Sequence, residues 1–359
     1  KAYVTSTDYN KRTVEYGVAY EDCEDGIAVE DVAKYRVIHL DTETLKIGAI
    51  QQSQRKKEIV EPRTYRQSRS LPESEEWHEC TWAEVQAIID FGVLEPCDKE
   101  DIPEGKNITG TRFVYKVKYN KDGSIDKFKC RMVAQGFTQE WMIDFDETFA
   151  PVSQILSVRL MLILSLQFGL KCHHMDVKCA FLNSPLKHEV YVRLPEGFEI
   201  EGKRYGRLKK SLYGLKQAAH DWHQTQHDFI MSFDDRMQRS TIEPCLYYIW
   251  TDELKVLIST HVDDYIIGCD SEEWFVSFKK AFSEKFEVTD LGIVDHVLQM
   301  GVEWKDGEVS LSQERHIKDC VEEFGLEDSK TMQTPMEENL NLLPAVDIAL
   351  PQVPYRSLL

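Results

Sequence analysis

The segment STHVDDYIIG, residues 259–268, carries two adjacent carboxylates, Asp263 and Asp264, between two apolar stretches. Lys255–His261 on one side and Tyr265–Gly268 on the other have the composition of β-strands, which predicts a hairpin with both carboxylates at its tip. Like charges this close raise each other's pKa or require a cation. A hard divalent ion bound through carboxylate oxygens is one solution. An ordinary acidic turn is the other, because Asp favours turns.

A third carboxylate, Asp176, lies near the end of a strand-like segment, Cys172–Val177. Three aspartates on two adjacent strands of one sheet could hold two metal ions roughly 3.5–4 Å apart, the arrangement that stabilises the attacking and leaving oxygens in phosphoryl transfer. The neighbouring His173 and His174 have no partner at ligand spacing, so we interpret them as structural.

An apolar segment precedes this strand. Pro151 and Ser153 predict the start of a helix, and Gly169 predicts its end after Phe168. The segment is apolar nearly all round, which predicts a buried helix. Further elements follow from periodicity. Helices are predicted at Trp77–Asp90, Asp221–Phe233, Trp274–Phe286 and Gln313–Phe324, and strands at Val190–Leu194, Val302–Trp304 and Val309–Leu311.

A second hairpin is rich in cations. Thr111–Tyr119 and Ile125–Ala134 have strand composition, and residues 120–123, Asn-Lys-Asp-Gly, supply a turn. Side chains alternate along a strand, so three cations of the second strand share one face. They are Lys127, Lys129 and Arg131. Three cations on one face repel each other unless an anion binds there.

Composition indicates a soluble globular protein, with 42% apolar and 29% charged residues. Nine cysteines without a C-x-x-C pair argue for reduced thiols in an intracellular protein, rather than a disulfide framework or a zinc site. The net charge of −19 is unusual for a nucleic-acid-binding protein, but residues 202–217 hold six basic and no acidic side chains. Such a strip suits a phosphate backbone, or it is simply a solvated surface.

Six segments occur in a specific order along the sequence, and several of them exceed eight residues. They are GTRFVYKVKY (110–119), DGSIDKFKCRMVAQGFTQ (122–139), FDETFAPV (145–152), HMDVKCAFLN (174–183), RLKKSLYGLKQ (207–217) and THVDD (260–264). Together they resemble the reverse transcriptases of copia-type LTR retrotransposons. The resemblance covers about residues 75–338.

The resemblance implies an α+β right-hand polymerase fold, with fingers, a palm whose antiparallel sheet packs on helices, and a thumb. It implies an RNA-directed and DNA-directed DNA polymerase that adds dNTPs to a primer by two-metal phosphoryl transfer, with two Mg²⁺ ions that Mn²⁺ can replace. Expected partners are an RNA or DNA template with its primer, dNTPs and other Pol polyprotein segments such as integrase and RNase H. No membrane partner is expected, and the expected location is the cytoplasm, within virus-like particles.

The resemblance also implies roles for particular residues. The catalytic aspartates are Asp176, Asp263 and Asp264. The metal ligands are Asp176, Val177, Asp263 and Asp264. The nucleotide-binding residues are Lys129, Arg131, Phe181, Tyr213 and Gly214, among which Phe181 matches the aromatic gate that excludes a 2′-hydroxyl. The primer grip residues are Met300 and Gly301.

Domain boundaries follow from composition and from the resemblance. Residues 1–50 are expected to be an N-terminal extension, the end of an integrase region, and residues 51–76 a polar linker. Residues 77–338 are expected to hold the fingers, palm and thumb. Residues 339–359 are expected to be a tail that leads toward an RNase H domain.

The chain departs from the family at a few positions. His261 stands where the family has Tyr or Phe, Ala219 where it usually has Pro, and His220-Asp221 replaces a more basic pair. A catalytically inactive nucleic-acid-binding remnant, or a domesticated palm scaffold, therefore stays open as an alternative. A different palm-based enzyme, such as a cyclase, is disfavoured by the long matches outside the carboxylates.

Overall fold

The structure, a computed structural model, describes residues 2–8, 13–18, 59–120 and 124–329. Its strands are β1 Ala2–Asp8, β2 Thr13–Val18, β3 Leu94–Cys97, β4 Ile108–Tyr119, β5 Ile125–Ala134, β6 Lys171–Val177, β7 Pro185–Arg193, β8 Tyr205–Lys210, β9 Gln238–Arg239, β10 Leu246–Trp250, β11 Lys255–His261, β12 Asp264–Cys269, β13 Val288–Ile293, β14 His296–Val297, β15 Met300–Lys305 and β16 Glu308–Ser312. Its α-helices are α1 Tyr65–Ser68, α2 Ser74–Asp90, α3 Ile155–Phe168, α4 Ala218–Phe233, α5 Glu272–Lys285 and α6 Glu314–Glu323. The prediction of a mixed fold of helices and sheets is confirmed.

The chain forms two compact units, Lys57–Val294 on one hand, and Lys1–Lys56 with Asp295–Leu359 on the other. In the second unit β1 pairs with β2, and β14, β15 and β16 form an antiparallel sheet that α6 contacts. The tail predicted at 339–359 and most of the extension predicted at 1–50 lie outside the described residues. So do the turn positions 121–123.

One sheet of the larger unit has the order β3-β8-β7-β4-β5, in which only the β4–β7 pair is parallel. Helix α2 packs on β5, with Trp77 and Ile88 fully buried in the core between them. Part of the predicted linker belongs to this core. Residues 59–76 include α1, the Tyr65 ring lies 5.3 Å from that of Phe198, and Glu61 accepts a hydrogen bond from the Val117 amide. The linker interpretation is therefore wrong for residues 59–76, because scattered apolar side chains anchor this polar stretch.

The second sheet has the order β13-β6-β12-β11-β10-β9, and every pair in it is antiparallel. On one face, Met175 and Tyr265 join a core with the aromatic side chains of α4 and α5. Helix α3 contacts the opposite face, where Gly268 permits its close approach. A Cβ atom at Gly268 would lie 2.7 Å from the Ser165 hydroxyl oxygen.

The prediction that α3 is buried on all sides is wrong. Only Val158, Met161, Leu162 and Ser165 of this helix are buried, whereas Leu156 is 72% exposed. A helix on one face of a sheet buries one stripe, and its apolar composition does not itself supply a second packing layer. The other predicted helices are present, with ends shifted by a few residues. None of the described helices is long and apolar enough to span a membrane.

Candidate active site

The hairpin of β11 and β12 has the predicted carboxylates at its tip. Val262 has a φ of 60°, a left-handed conformation that is an outlier for a β-branched residue. Both tip carbonyls accept hydrogen bonds from other elements. The amide of Val177 donates to the Asp263 carbonyl at 2.9 Å, and the indole of Trp222 donates to the Val262 carbonyl at 2.5 Å. The tip is thus held by strand β6 and helix α4.

Asp176 lies on the neighbouring strand, directly opposite Asp264 in the β6–β12 register. Residues opposite each other in an antiparallel pair point to the same face, with Cβ atoms about 4.5–5.5 Å apart. The structure therefore brings Asp176, Asp263 and Asp264 together. The Asp264 carboxylate is turned toward His174, whose Nε2 lies 3.2 Å from Oδ1. Among the described residues, no three His, Cys, Asp or Glu side chains are arranged so that they could hold a metal ion as they stand.

Burial and mutual repulsion act on these carboxyl groups. Burial, followed by the charges of Asp263 and Asp264, raises the pKa of Asp176. Burial is also the main cause that raises the pKa of Asp263, and the charge of Asp264 adds to it. In the described part of the chain, neither Asp176 nor Asp263 forms an ion pair with Lys or Arg. Partly desolvated oxygen donors without a direct ion pair to Lys or Arg suit a hard divalent ion such as Mg²⁺, so the donor set fits the expected metal.

The charge of Lys129 on β5 lowers the pKa of both Asp176 and Asp263, after the effects of His174 on the first and His261 on the second. Burial lowers the pKa of Lys129 itself, and the cations on the same hairpin add to this effect. No ion pair to Lys129 occurs within residues 59–120 and 124–329. Its ammonium group therefore lacks a protein carboxylate as a direct partner, which suits contact with an anionic ligand.

Arg131, two residues further along β5, is already engaged. Its guanidinium donates to the Glu84 carboxylate at 3.0 Å, and its Cζ lies 5.0 Å from the centroid of the Tyr213 ring. The Glu84 side chain, only 3% exposed, also accepts a hydrogen bond from the Met132 amide at 3.1 Å. Helix α2 thus fixes the position of Arg131 through a buried carboxylate.

The expected gate residue, Phe181, lies in the short 3₁₀ turn Ala180–Asn183 and is half-buried. Its ring packs edge-on against Tyr213, with the centroids 5.4 Å apart. Tyr213 is tied to the end of β5, where the Ala134 amide donates to its carbonyl at 2.7 Å. Gly214 has a φ of 87°, and a Cβ there would lie 2.3 Å from the Ala134 carbonyl oxygen, so only glycine fits. Four of the five expected nucleotide-binding residues thus form one chain of contacts: Arg131, Phe181, Tyr213 and Gly214.

The expected primer grip residues lie in the smaller unit. Met300 is buried at the start of β15, and Gly301 pairs with His296 on one side and Ser312 on the other. Their role stays a prediction.

The basic strip at 202–217 is partly neutralised by acids on neighbouring strands and loops. Lys203 pairs with Asp98, Arg207 with Glu189 and Lys209 with Glu95. These three cations are therefore less available to a phosphate backbone than the sequence indicates.

Three residues near the site were not predicted from the sequence to act there. Glu84 holds Arg131, Trp222 binds the hairpin tip, and His174 contacts Asp264. Each partner is 40 or more residues away in the chain. Only His174 carried a local signal, because it lies two residues before Asp176 and so shares its face of β6.

Comparisons with known proteins agree on one family. A family model described as reverse transcriptase (RNA-dependent DNA polymerase) matches residues 98–338. The retrovirus-related Pol polyprotein from transposon TNT 1-94 of Nicotiana tabacum is 32% identical over 292 residues, covering 79% of this chain and 21% of that protein. The Pol polyprotein from transposon RE1 of Arabidopsis thaliana is 29% identical over 279 residues, covering 77% of this chain and 18% of that protein. The chain therefore spans about a fifth of the length of these relatives.

A solved structure of apo telomerase from Candida tropicalis, truncated from the C-terminal domain, aligns with 66% of this chain and 60% of its own. The TM-score is 0.38 and the identity 10%, which is too low to support a conclusion.

Proposed function

This chain belongs to the copia-type reverse transcriptase family, and we propose that it synthesises DNA on RNA and DNA templates by adding dNTPs to a primer. The observation that carries the proposal is the meeting of three aspartates, Asp176 and Asp264 on adjacent strands and Asp263 at the hairpin tip. Burial raises the pKa of Asp176 and of Asp263. The charge of Lys129, a cation without an ion-pair partner among the described residues, lowers the pKa of Asp176 and Asp263. An anionic substrate with its metal ions would satisfy both sets of charges.

The proposed right-hand architecture follows from this placement. The sheet that contains β6, β11 and β12 would be the palm, with α4 and α5 behind it. The sheet that contains β4 and β5, with α2, would be the fingers. The sheet of β14, β15 and β16, with α6, would contain the primer grip residues Met300 and Gly301 and part of the thumb. The domain boundaries expected from the sequence remain part of this proposal, except for the linker interpretation of residues 59–76.

Asp176, Asp263 and Asp264, with the backbone of Val177, would hold two divalent ions, Mg²⁺ or Mn²⁺. When bound, such ions stabilise charge on the attacking and leaving oxygens of a phosphoryl transfer. Lys129 would bind the triphosphate of the incoming nucleotide. In the proposed reaction, the primer 3′-hydroxyl oxygen would bond to the α-phosphorus and its proton would pass to water. The bond from the α-phosphorus to the oxygen that bridges to the β-phosphate would break, and pyrophosphate would leave.

Phe181 would exclude ribonucleotides. Its ring packs against Tyr213, Arg131 contacts the Tyr213 ring, and Glu84 holds Arg131. A ring in this position leaves a 2′-hydroxyl without space or a hydrogen-bond partner. Leaving such a hydroxyl unsatisfied costs about 1–3 kcal/mol, which favours dNTPs.

A catalytically inactive nucleic-acid-binding remnant is the second candidate. It is favoured by the turn of Asp264 toward His174 and by His261, whose buried Nδ1 has no hydrogen-bond partner. Under either candidate, the partners would be a primed RNA or DNA template and other Pol polyprotein segments. The cytoplasmic setting within virus-like particles, expected from the resemblance, remains part of this proposal.

Primer extension tests the proposal. Purified protein is given an oligo(dT) primer on a poly(rA) template, with dTTP and with Mg²⁺, Mn²⁺ or EDTA. Extension with either metal and none with EDTA is expected. Binding of the primed template without extension under every metal condition would instead establish the non-catalytic candidate.

A further inference from the structure

Trp222 of α4 makes a contact that core packing does not require. The residue is 1% exposed, and its ring packs edge-on against Phe286, with centroids 5.3 Å apart. This packing fixes the ring plane. The indole N–H is left pointing at one acceptor, the Val262 carbonyl, at 2.5 Å.

Among the tip residues, Val262 has the backbone conformation that most requires stabilisation by other elements. Its positive φ is unfavourable for a β-branched side chain, and such conformations persist only where the surroundings impose them. The next residue is Asp263, and Asp264 follows. A relaxation of Val262 would rotate the peptide plane that leads into Asp263 and move both carboxylates relative to Asp176.

Two hydrogen bonds from other elements stabilise the backbone of the tip. The Val177 amide donates to the Asp263 carbonyl at 2.9 Å, and Trp222 donates to the carbonyl before it. The first bond comes from the strand that carries Asp176. The second bond comes from α4, and its donor is a side chain, the indole of Trp222.

We propose that Trp222 is a positioning residue, whose indole N–H keeps Val262 in its left-handed conformation and thereby places Asp263 and Asp264 for catalysis. The inference rests on the proposed function, because it concerns the geometry of the same carboxylates. Displacement of a reacting group by about 1 Å can cost on the order of a hundredfold in rate.

Two other buried tryptophans provide matched controls. Trp274, 9% exposed in the same core, donates its indole N–H to the Asp234 carboxylate at 3.0 Å. Trp77, fully buried in the other core, has an indole nitrogen without a hydrogen-bond partner in the described structure. Replacement of each by Phe removes the same ring area. Only Trp222→Phe removes a bond to the hairpin tip.

The experiment compares Trp222→Phe, Trp274→Phe and Trp77→Phe. Primer extension is measured as kcat and as KM for dTTP, and deuterium uptake is measured on the metal-free proteins. Trp222→Phe is expected to lower kcat by about tenfold to a hundredfold with little change in KM, and to speed exchange in peptides that cover residues 255–269. Trp274→Phe and Trp77→Phe are expected to lower thermal stability but to leave kcat and exchange of this hairpin unchanged.

Equal exchange of the hairpin in Trp222→Phe and the wild type would overturn the inference, as would a loss of kcat that all three variants share. If the wild type extends no primer, the proposed function fails, and the exchange comparison still decides whether Trp222 holds the tip. If Trp222→Phe does not fold, wild-type protein with ¹⁵N-labelled indoles decides. Mg²⁺ is expected to shift the Trp222 resonance in the wild type but not in Asp263→Asn, and an unshifted resonance in both would overturn the inference.

Discussion

Two hairpins of one sheet each carry a pair of adjacent acids at the tip. Asp252 and Glu253 connect β10 to β11, and Asp263 with Asp264 stand where β11 meets β12. The two tips lie at opposite ends of β11. By sequence, both are acidic turns between apolar strands.

Their surroundings differ. Asp252 and Glu253 are exposed, and their turn is closed by its own residues: the Thr251 amide donates to the Leu254 carbonyl at 3.0 Å, and the Leu254 amide donates to the Thr251 hydroxyl. At the other tip, α4 and β6 bind the backbone, and burial raises the pKa of Asp263. Asp263 is exposed as well, so exposure alone does not separate the tips. A self-closed turn leaves its acids apart from other elements, whereas a tip held by distant elements places its carboxylates beside Asp176.

The largest expected effect separates the two tips directly. Asp263→Asn should lower the rate of primer extension by about 10²–10³-fold or more, the scale seen when one group that stabilises a transition state is removed. Asp252→Asn should leave the rate unchanged, because its carboxylate is at the solvated tip. Extension rates and primed-template affinity are measured for both variants. Equal losses in the two would mean that the tips are equivalent and would end the proposed assignment.

Lys129 provides a second test of the difference between the two tips, since its charge lowers the pKa of Asp263. Lys129→Ala should raise KM for dTTP, because hydrogen bonds to charged groups contribute about 1.5–3 kcal/mol, which is about tenfold to 150-fold in affinity. Lys127→Ala, an exposed cation on the same strand, should have little effect on KM. Steady-state kinetics at fixed ionic strength provide the measurement. Equal effects of the two substitutions would indicate a general charge effect of the hairpin.

Phe181, in the turn that follows β6, tests the role of the segment next to Asp176. Phe181→Ala should increase rNTP use relative to dNTP by an amount that corresponds to about 1–3 kcal/mol, because the 2′-hydroxyl would gain space and water. Phe91→Ala, which truncates another half-buried phenylalanine packed against the core of α2 and β5, should lower stability without changing this ratio. Competition between rNTP and dNTP, with thermal melting beside it, distinguishes the roles. An unchanged ratio in a folded, active Phe181→Ala protein would leave Phe181 as a packing residue.

Local pattern predicted the elements of the site well. The strands on both sides of Asp263-Asp264 and the cationic hairpin were predicted from composition and alternation and are confirmed. Strand β13, which pairs with β6 beside Asp176, was not predicted because it is an edge strand with exposed, polar positions. The apolar pattern of α3 also failed to predict that one of its faces is exposed.

Local pattern could not distinguish the two acidic tips. The difference depends on Trp222, 40 residues before Val262 in the chain, and on Asp176, whose register opposite Asp264 is set by strand pairing. The same limit explains Glu84, which lies 47 residues before Arg131. Resemblance to a family identified the aspartates, but the side chains that hold them in place became visible only in the folded chain.

The smallest expected effect concerns stability without metal. Asp263 has a raised pKa in the folded state, so its carboxyl binds a proton more tightly there than in the unfolded chain. Ionisation therefore destabilises the fold as the pH rises above the unfolded pKa of about 3.9. The whole cost is present above the folded pKa. Asp263→Asn removes this cost and should raise the melting temperature at pH 7 by at most about 1–2 °C, because solvent screens an exposed carboxyl. Asp252→Asn should not change it.

Thermal melting in EDTA checks the direction of this effect. It is measured at pH 7 and at the lowest pH at which both proteins stay folded. The increase in melting temperature caused by Asp263→Asn should shrink at low pH, because the wild-type carboxyl becomes protonated. Mg²⁺ provides the converse test. A ligand that binds only the folded state raises its stability, so Mg²⁺ should stabilise the wild type and Asp252→Asn more than Asp263→Asn. If Asp263→Asn is less stable than the wild type in EDTA, the Asp263 carboxylate makes a favourable contact in the metal-free protein, and the contrast between the strained tip and the solvated tip is wrong.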